Sequence, residues 1–156
     1  MSKSLARVKA ALAALGLPAE IKTYGAETRT AAQAAAAAGC EIDQIVKSII
    51  FQGETSGEIV LFLTAGGNRV AADRASALAG EPLGRADADL VRARTGFAIG
   101  GVSPVGHLSP VRTFADPRLL DFPVIWAAAG TPQHIFAARP DDLVRVTGAT
   151  VASFTE

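Results

Sequence analysis

Apolar residues recur along the chain in short blocks separated by glycine and proline, and the spacing within each block predicts a helix or a strand. Residues 4–15 place leucine and valine three or four positions apart, as on one face of an amphipathic helix, and Gly16 and Pro18 end that helix. Residues 20–24 alternate as a short strand.

The alanine-rich block at residues 31–38 is bounded by residues that favour helix ends. Thr30 is a good N-cap and Gly39 a natural C-cap, and alanine has the highest helix propensity. Cys40 follows the block and is interpreted as a small buried residue just past the helix end. The block therefore predicts a second helix that packs closely on its neighbours.

A β-branched run at residues 45–51 predicts a central strand, residues 52–57 a hairpin turn, and residues 58–64 the returning strand. Lys47 interrupts this run with a charge. A charged side chain in an apolar strand has to reach a partner or a cleft. The alternative is a lysine that protects a solvated sheet edge, and the pattern leaves both interpretations open.

The remaining blocks continue the alternation of short elements. The predicted strands lie at residues 69–72, 83–85, 111–114, 122–128, 133–137 and 151–154, and the predicted helices at residues 73–78, 88–95, 116–120 and 140–146. Asp73, Asp87 and Asp116 are placed to begin three of these helices. Because hairpins are interleaved with helices, we expect a mixed sheet in an α/β (α+β) fold, with residues 1–156 forming one domain.

Glycine and proline are concentrated in residues 96–107, which we call the glycine loop. Gly100 and Gly101 lack side chains, so a ligand can lie directly against their backbone N–H and C=O groups. Pro104 fixes its own φ and favours an extended conformation at Ser103. The segment therefore predicts a shaped backbone loop, and we take it as the candidate site.

Two familiar kinds of active site fit this loop poorly. Ser103 and His107 do not form the G-x-S-x-G motif of serine hydrolases, and Pro104 removes the backbone N–H that such enzymes use in the oxyanion hole. His107 and His134 lack the helix-face spacing of a metal site. Structural hydrogen bonding is the alternative interpretation for each histidine.

Composition narrows the function classes further. The 156 residues are 49% hydrophobic and 19% charged, which is typical of a folded domain. The chain has 15 Lys and Arg residues and 15 Asp and Glu residues, so its formal net charge is zero. The absence of a basic excess argues against sequence-independent DNA binding. No apolar run approaches the roughly 20 residues that a membrane span needs. We therefore expect a cytoplasmic protein that binds no membrane, no specific DNA, no metal and no cofactor.

The chemistry that remains needs no protein nucleophile. Backbone amides at Gly100 and Gly101 are suited to hold a carbonyl oxygen or to position a water. Lys47 supplies a fixed positive charge for a phosphate or a ribose-linked group. Such a site can hydrolyse an activated ester if the substrate brings its own hydroxyl.

Several segments occur in the order found in a known family. They are Thr23-Tyr24, Gln44-Ile45-Val46-Lys47-Ser48-Ile49-Ile50, Arg69-Val70, Thr95-Gly96-Phe97, Gly100-Gly101-Val102-Ser103-Pro104, Asp141-Asp142-Leu143 and Thr147-Gly148-Ala149. In this ordered set the chain resembles the YbaK/ProX family of free-standing aminoacyl-tRNA deacylases, which are similar to the editing domain inserted in bacterial prolyl-tRNA synthetase. The resemblance implies a curved, partly barrel-like mixed sheet with flanking helices.

The resemblance also implies an activity, namely hydrolysis of the ester that joins a wrong amino acid to tRNA, foremost tRNA for proline. Lys47 would contact the terminal adenosine and its phosphate. The G-x-x-x-P loop that runs from Gly100 to Pro104 would hold the aminoacyl group, while the terminal ribose hydroxyl and a water act in catalysis. The implied partners are the acceptor end of a mischarged tRNA and, as helpers in capture, prolyl-tRNA synthetase or an elongation factor.

Lys47, together with Gly100 and Gly101, is thus predicted to be catalytic. The predicted substrate-binding residues are Tyr24, Ser103, Pro104, His107 and His134. By the resemblance, Tyr24 lines the site and His134 lies near the amino-acid pocket.

The chain departs from the cysteine-specific branch of the family. That branch has a serine and glycines where this chain has Ala127-Ala128-Ala129-Gly130, and a glutamine in the place of His107. The chain therefore resembles more closely the branches that clear alanine, 2-aminobutyrate, serine or threonine. A non-catalytic module that binds an aminoacyl end or a nucleotide is the alternative function, and it predicts the same pocket.

Overall fold

A computed structural model describes residues 2–17, 19–23 and 30–156, and an eight-stranded sheet forms its framework. Five α-helices are found among these residues: α1 (Lys3–Ala14), α2 (Ala31–Ala38), α3 (Ala72–Ala79), α4 (Ala88–Thr95) and α5 (Pro140–Thr147). The strands are β1 (Ile21–Thr23), β2 (Ile45–Gly53), β3 (Ile59–Ala65), β4 (Leu83–Arg85), β5 (Arg112–Ala115), β6 (Ile125–Thr131), β7 (His134–Ala138) and β8 (Thr150–Val151).

The sheet is open and mixed, as the interleaved hairpins and helices predicted. Its strand order is β1-β7-β6-β2-β3-β5-β8, with β4 paired to the far end of β2. The pairs β2–β6, β3–β5 and β5–β8 are parallel, whereas the remaining pairs are antiparallel. The β-branched run predicted as a central strand is β2, which lies inside the sheet between β3 and β6.

Alternation of side chains along the strands gives the sheet two apolar faces. On the first face, α1 packs against β2, β3, β6 and β7 in the largest core cluster. On the second face lie two smaller clusters. The phenylalanine cluster contains Val60, Phe62, Ala75, Phe114 and Phe154, and the alanine cluster contains Ala34, Ala35, Ile45, Trp126 and Ile135.

The helix ends follow from capping chemistry, and the predicted bounds of α2 and α4 are confirmed. The hydroxyl of Thr30 accepts a hydrogen bond from Gln33 N at 3.1 Å, while the Gln33 side chain accepts one from Thr30 N at 3.2 Å. Gly39 ends α2 in the left-handed conformation with φ of 72°. The Asp87 carboxylate accepts a hydrogen bond from Leu90 N and begins α4.

The predicted strand at residues 69–72 is wrong. Only Val70 pairs, through an isolated bridge to Thr155, and α3 already begins at Ala72 with Ala71 as its N-cap. Asp73 lies inside the first helical turn and is not the cap. Because Ala71 N donates to Phe154 O, the chain is held at the C-terminal segment there and turns at once into the helix.

Other elements differ from the prediction in their presence or in their bounds. The sequence did not indicate the 3₁₀ helix at Ile42–Gln44. The 3₁₀ helix at Pro117–Asp121 is followed by β6 only at Ile125, three residues after the predicted start at 122. In the part of the chain that the structure describes, no helix is long and apolar enough to cross a membrane.

Candidate active site

A cavity opens where the parallel pairing of β2 with β6 stops. The two strands pair only at Ile45 with Trp126 and at Val46 with Ala127. Beyond these residues β2 continues beside β3, and β6 continues beside β7. A cavity of about 700 Å³ lies at this gap, lined by β2, β6, β7, α2 and the glycine loop. Its volume is within the ordinary range for small-molecule sites, roughly 300–1,000 Å³.

Lys47 lies at this gap and on the second face of the sheet. On the same face, Ile45 belongs to the alanine cluster and Ile49 packs against the phenylalanine cluster, so the lysine lies between the two. Its Nζ donates a hydrogen bond to Asn68 O at 2.5 Å. The lysine therefore reaches both a partner and a cleft, and it does not lie on an outer edge of the sheet.

The turn that carries this carbonyl is held by two carboxylates, which accept hydrogen bonds from its N–H groups. Asp116 is 2% exposed, and its Oδ2 accepts hydrogen bonds from Asn68 Nδ2 at 2.9 Å and from Ala65 N at 3.1 Å. On the other side of the turn, Asp43 Oδ1 accepts from Gly67 N at 2.8 Å. The turn therefore presents its carbonyl to the lysine from a fixed position.

Burial and charge both act on the lysine. Partial burial lowers the pKa of Lys47 below its ordinary value, and the nearby positive charge of Arg69 lowers it further. The carboxylates of Asp116 and Asp43 oppose this shift of the pKa. The ammonium of Lys47 makes the gap a place for a negatively charged or electron-rich group.

Ser48 also lines the cavity, although no pattern in the sequence singled it out. Its side chain leaves β2 on the opposite face from Lys47. The Ser48 Oγ is buried and has no hydrogen-bond partner among the described residues. A buried hydroxyl without a partner is costly, so this atom is suited to pair with a bound ligand.

The tip of the glycine loop forms another wall of the cavity. Gly100 has φ of +88°, which only glycine adopts easily, and no atom from elsewhere in the described residues lies within 4 Å of the place where a Cβ would be. The Gly101 N–H donates to Ala98 O at 2.9 Å, so this amide closes a turn within the tip. The Gly100 N–H has no hydrogen-bond partner in the described ranges, and it is one of the tip amides that remain for a ligand.

Ser103, Pro104 and His107 lie behind the tip and do not line this cavity. Ser103 is fully buried, and its Oγ accepts from Val105 N at 3.4 Å. His107 Nε2 donates to the Ser103 carbonyl at 2.6 Å, and burial lowers the pKa of His107. These residues therefore shape the loop from inside, and the imidazole does not contact the serine hydroxyl as a catalytic base would.

His134 lines the cavity at the turn between β6 and β7. The Thr131 hydroxyl lies 2.5 Å from His134 Nδ1 and also accepts from Gln133 N at 3.2 Å, so it closes the turn. Tyr24 lies outside the described residues. Within the ranges that the structure describes, no cluster of three or more His, Cys, Asp or Glu side chains is arranged to hold a metal ion.

The structure thus brings Lys47, Gly100, Gly101 and His134 to one cavity, together with Ser48. A family profile for the aminoacyl-tRNA editing domain matches residues 25–146, the segment that contains all of them.

Solved structures agree with this match. A protein described as a candidate trans-editing enzyme for prolyl-tRNA synthetase is 46% identical, with a TM-score of 0.93 over 100% of this chain and 99% of its own. The hypothetical protein APE2540 is 31% identical, with a TM-score of 0.87 over 96% of this chain and 99% of its own.

A curated relative is more distant. The uncharacterized protein YwhH of Bacillus subtilis is 25% identical over 124 residues, which make up 80% of this chain and 78% of YwhH. Since the family profile covers most of the chain and the solved structures share its whole fold, the protein belongs to the aminoacyl-tRNA editing domain family, as the resemblance to YbaK/ProX proteins predicted.

Proposed function

We propose that the protein is a trans-editing deacylase, which hydrolyses the ester between a small non-cognate amino acid and tRNA for proline. The observation that carries this proposal is the convergence of Lys47 and the glycine-loop tip, Gly100 and Gly101, on one cavity of about 700 Å³. The relative described as acting for prolyl-tRNA synthetase supports the choice of tRNA.

The cavity residues would contact different parts of the substrate. Lys47 carries the positive charge that would contact the phosphate or ribose of the terminal adenosine. The Gly100 N–H would donate to the ester carbonyl, whose oxygen gains charge in the transition state. His134, at the opposite wall, would contact the amino acid. Among the described lining residues, the Ser48 hydroxyl contacts no histidine, and the Thr131 hydroxyl that contacts His134 is engaged in closing the turn between β6 and β7. The ribose hydroxyl of the substrate and a water would therefore do the covalent chemistry.

The apolar half of the cavity supports a small amino acid. Ala31 and Ala34 of α2 contribute methyl groups only, and Trp126 and Ile135 close the wall behind them. The balanced charge of the chain is compatible with this substrate, because only the acceptor end of the tRNA has to enter the cleft. Prolyl-tRNA synthetase or an elongation factor would then assist capture.

The test is deacylation of tRNA for proline charged separately with alanine, cysteine, serine, threonine, 2-aminobutyrate and proline. We expect catalytic turnover of at least one small non-cognate ester, sparing of the proline ester, and a loss of about 100-fold or more in kcat/KM for Lys47→Ala. Lys47→Arg keeps the charge and is the matched control. If the protein binds these tRNAs but hydrolyses none of them, the deacylase proposal is wrong and the non-catalytic binding module replaces it.

A further inference from the structure

The first helix contacts the glycine loop although it precedes the segment matched by the family profile. α1 spans Lys3–Ala14, whereas the match begins at residue 25. Arg7 of this helix points its guanidinium at the base of the loop. Its Nε donates to Gly106 O at 3.0 Å, and its Nη2 donates to Gly96 O at 2.6 Å. A single side chain thus bridges the two ends of the loop.

The guanidinium is held in a defined place by a third contact. Its carbon lies 4.7 Å from the ring centroid of Phe97, which is 1% exposed and packs in the main core cluster. The planar guanidinium can stack on a ring while its fork of N–H donors reaches two acceptors. Lysine, with one compact ammonium, cannot reproduce this set of contacts.

The loop backbone also leaves room for this arginine and for little else. Gly96 has φ of +82°, and a Cβ at this position would lie 2.5 Å from Arg7 Nη2. Two backbone hydrogen bonds, Leu108 N to Thr95 O and Ser109 N to Arg94 O, close the chain just outside the bridge. The arginine therefore adds hydrogen bonds at Gly96 and Gly106, inside these two backbone pairs.

The two halves of the loop differ in how firmly they are held. Residues 102–105 are buried, whereas residues 98–100 are exposed. Inside the tip, the Gly101 N to Ala98 O hydrogen bond fixes one turn. The tip leaves the main core cluster at Phe97 and rejoins it at Val102. Arg7 holds the backbone on the outer side of both points, at Gly96 and Gly106.

We propose that Arg7 is a positioning residue for the candidate site, which fixes both ends of the glycine loop so that its tip at Gly100 and Gly101 stays at the cavity wall. Its effect on turnover rests on the proposed deacylase function, but its effect on the loop does not. An activity assay and a measurement of loop opening therefore separate the two proposals.

The experiment compares Arg7→Met and Arg7→Lys with Lys3→Met, an exposed charge on the same helix, as the matched control. Amide hydrogen exchange read by mass spectrometry gives the first measurement. In Arg7→Met we expect exchange in residues 96–108 to be about tenfold faster or more, with β2 and β3 unchanged, because local opening no longer breaks two side-chain hydrogen bonds. Arg7→Lys should be intermediate, and Lys3→Met should match the parent.

Deacylation kinetics give the second measurement. A misplaced loop should lower kcat by about 10-fold to 100-fold and change KM by less than about threefold, since the lost interaction belongs to the transition state. A purely structural role would lower the unfolding midpoint without this split between kcat and KM.

Each outcome decides one of the two proposals. Unchanged exchange in residues 96–108 of Arg7→Met overturns the inference whatever the activity. Faster exchange with an unchanged kcat overturns the positioning role and leaves the deacylase function standing. If the parent protein shows no turnover, the deacylase function is wrong. The exchange data then still test whether Arg7 holds the two ends of the glycine loop. If Arg7→Met does not fold, Arg7→Lys decides by the same two measurements.

Discussion

The two clusters on the second face of the sheet are built from different side chains, and only one of them leaves space. In the phenylalanine cluster, Phe62 stacks on Phe114 at 5.3 Å between ring centroids and meets Phe154 edge-on at 4.9 Å. In the alanine cluster, α2 contributes only the methyl groups of Ala34 and Ala35, and Ala34 lines the cavity. The cavity of about 700 Å³ lies at this second cluster.

The contrast shows how one sheet face can hold a rigid core and a binding site side by side. The two clusters share strand β2, and Lys47 lies where they meet. We call the phenylalanine cluster the filled half of this face and the alanine cluster the open half. The turn at Asn68, whose carbonyl binds the Lys47 ammonium, follows β3 of the filled half. The filled half therefore fixes the charge, while the open half provides the room for a ligand.

Removing the central ring of the filled half should have the largest effect. Phe62 is 0% exposed and contacts three other phenylalanine rings, so Phe62→Ala should lower the free energy of unfolding by about 3–5 kcal/mol. Urea unfolding followed by circular dichroism measures this loss. Phe62→Leu should lose less, because it retains more of the volume. A loss below about 1 kcal/mol for the alanine variant would mean that the cluster is not a tightly packed core.

Filling the open half should affect turnover and leave stability nearly unchanged. Ala34 is 5% exposed and lines the cavity, so Ala34→Leu extends a side chain into the space proposed for the amino acid. Leucine is also a good helix former. We expect kcat/KM for small aminoacyl esters to fall about tenfold or more, with a change in unfolding free energy below about 1.5 kcal/mol.

The exposed Ala36 of the same helix offers the matched control, since Ala36→Leu adds the same atoms on the solvent side. Equal effects of the two leucine substitutions on turnover would contradict the placement of the amino acid against α2.

Local chemistry explains why some of this architecture could be predicted from the sequence. The caps at Thr30 and Asp87 act within three residues, so the bounds of α2 and α4 can be read directly. Lys47 could be identified from the sequence because a charge inside a β-branched run needs a partner. The glycine loop could be identified because glycine and proline are concentrated in it. Their combination in one site was predicted from the chemistry that the two could share and from the resemblance to a family, since no local spacing places one beside the other.

Contacts between distant segments could not be predicted in this way. Arg7 reaches Gly106 across 99 positions, and Asn68 reaches Asp116 across 48 positions. No local spacing connects such residues, because only the folded sheet brings them together. Ser48 was missed for a related reason: a serine in a strand is ordinary until the structure shows that its hydroxyl is buried beside a cavity.

Ser48→Ala should give a moderate effect on catalysis with a neutral or slightly favourable effect on stability. Its Oγ is unpaired among the described residues, so removing it costs no hydrogen bond within the protein. If it pairs with the substrate, the loss of about 1 kcal/mol should lower kcat/KM about fivefold.

Thr113→Val is the control for Ser48→Ala, because the Thr113 hydroxyl is already bonded to Val111 O at 2.9 Å. This variant should lose some stability and keep its turnover. Unchanged kcat/KM in Ser48→Ala would show that the hydroxyl does not contact the substrate.

The smallest effect should appear in the pH dependence, at its alkaline end. Burial and the charge of Arg69 lower the pKa of Lys47, so the ammonium loses its proton at a lower pH than an ordinary lysine does. If the protonated form binds the substrate, kcat/KM should fall as the pH rises through this lowered pKa, after correction for spontaneous ester hydrolysis. Arg69→Gln removes the repulsion between the two cations, so the pKa of Lys47 should rise and the alkaline fall should move to higher pH. Lys47→Arg, which does not titrate in this range, should show no such fall. The measurement is the pH at which kcat/KM falls, and not the absolute rate, because Arg69 also adds to the positive charge that attracts tRNA.

An alkaline fall at the same pH in the parent and in Arg69→Gln would show that Lys47 is not the titrating group. The charge of Lys47, between the two clusters, would then not be what the substrate requires.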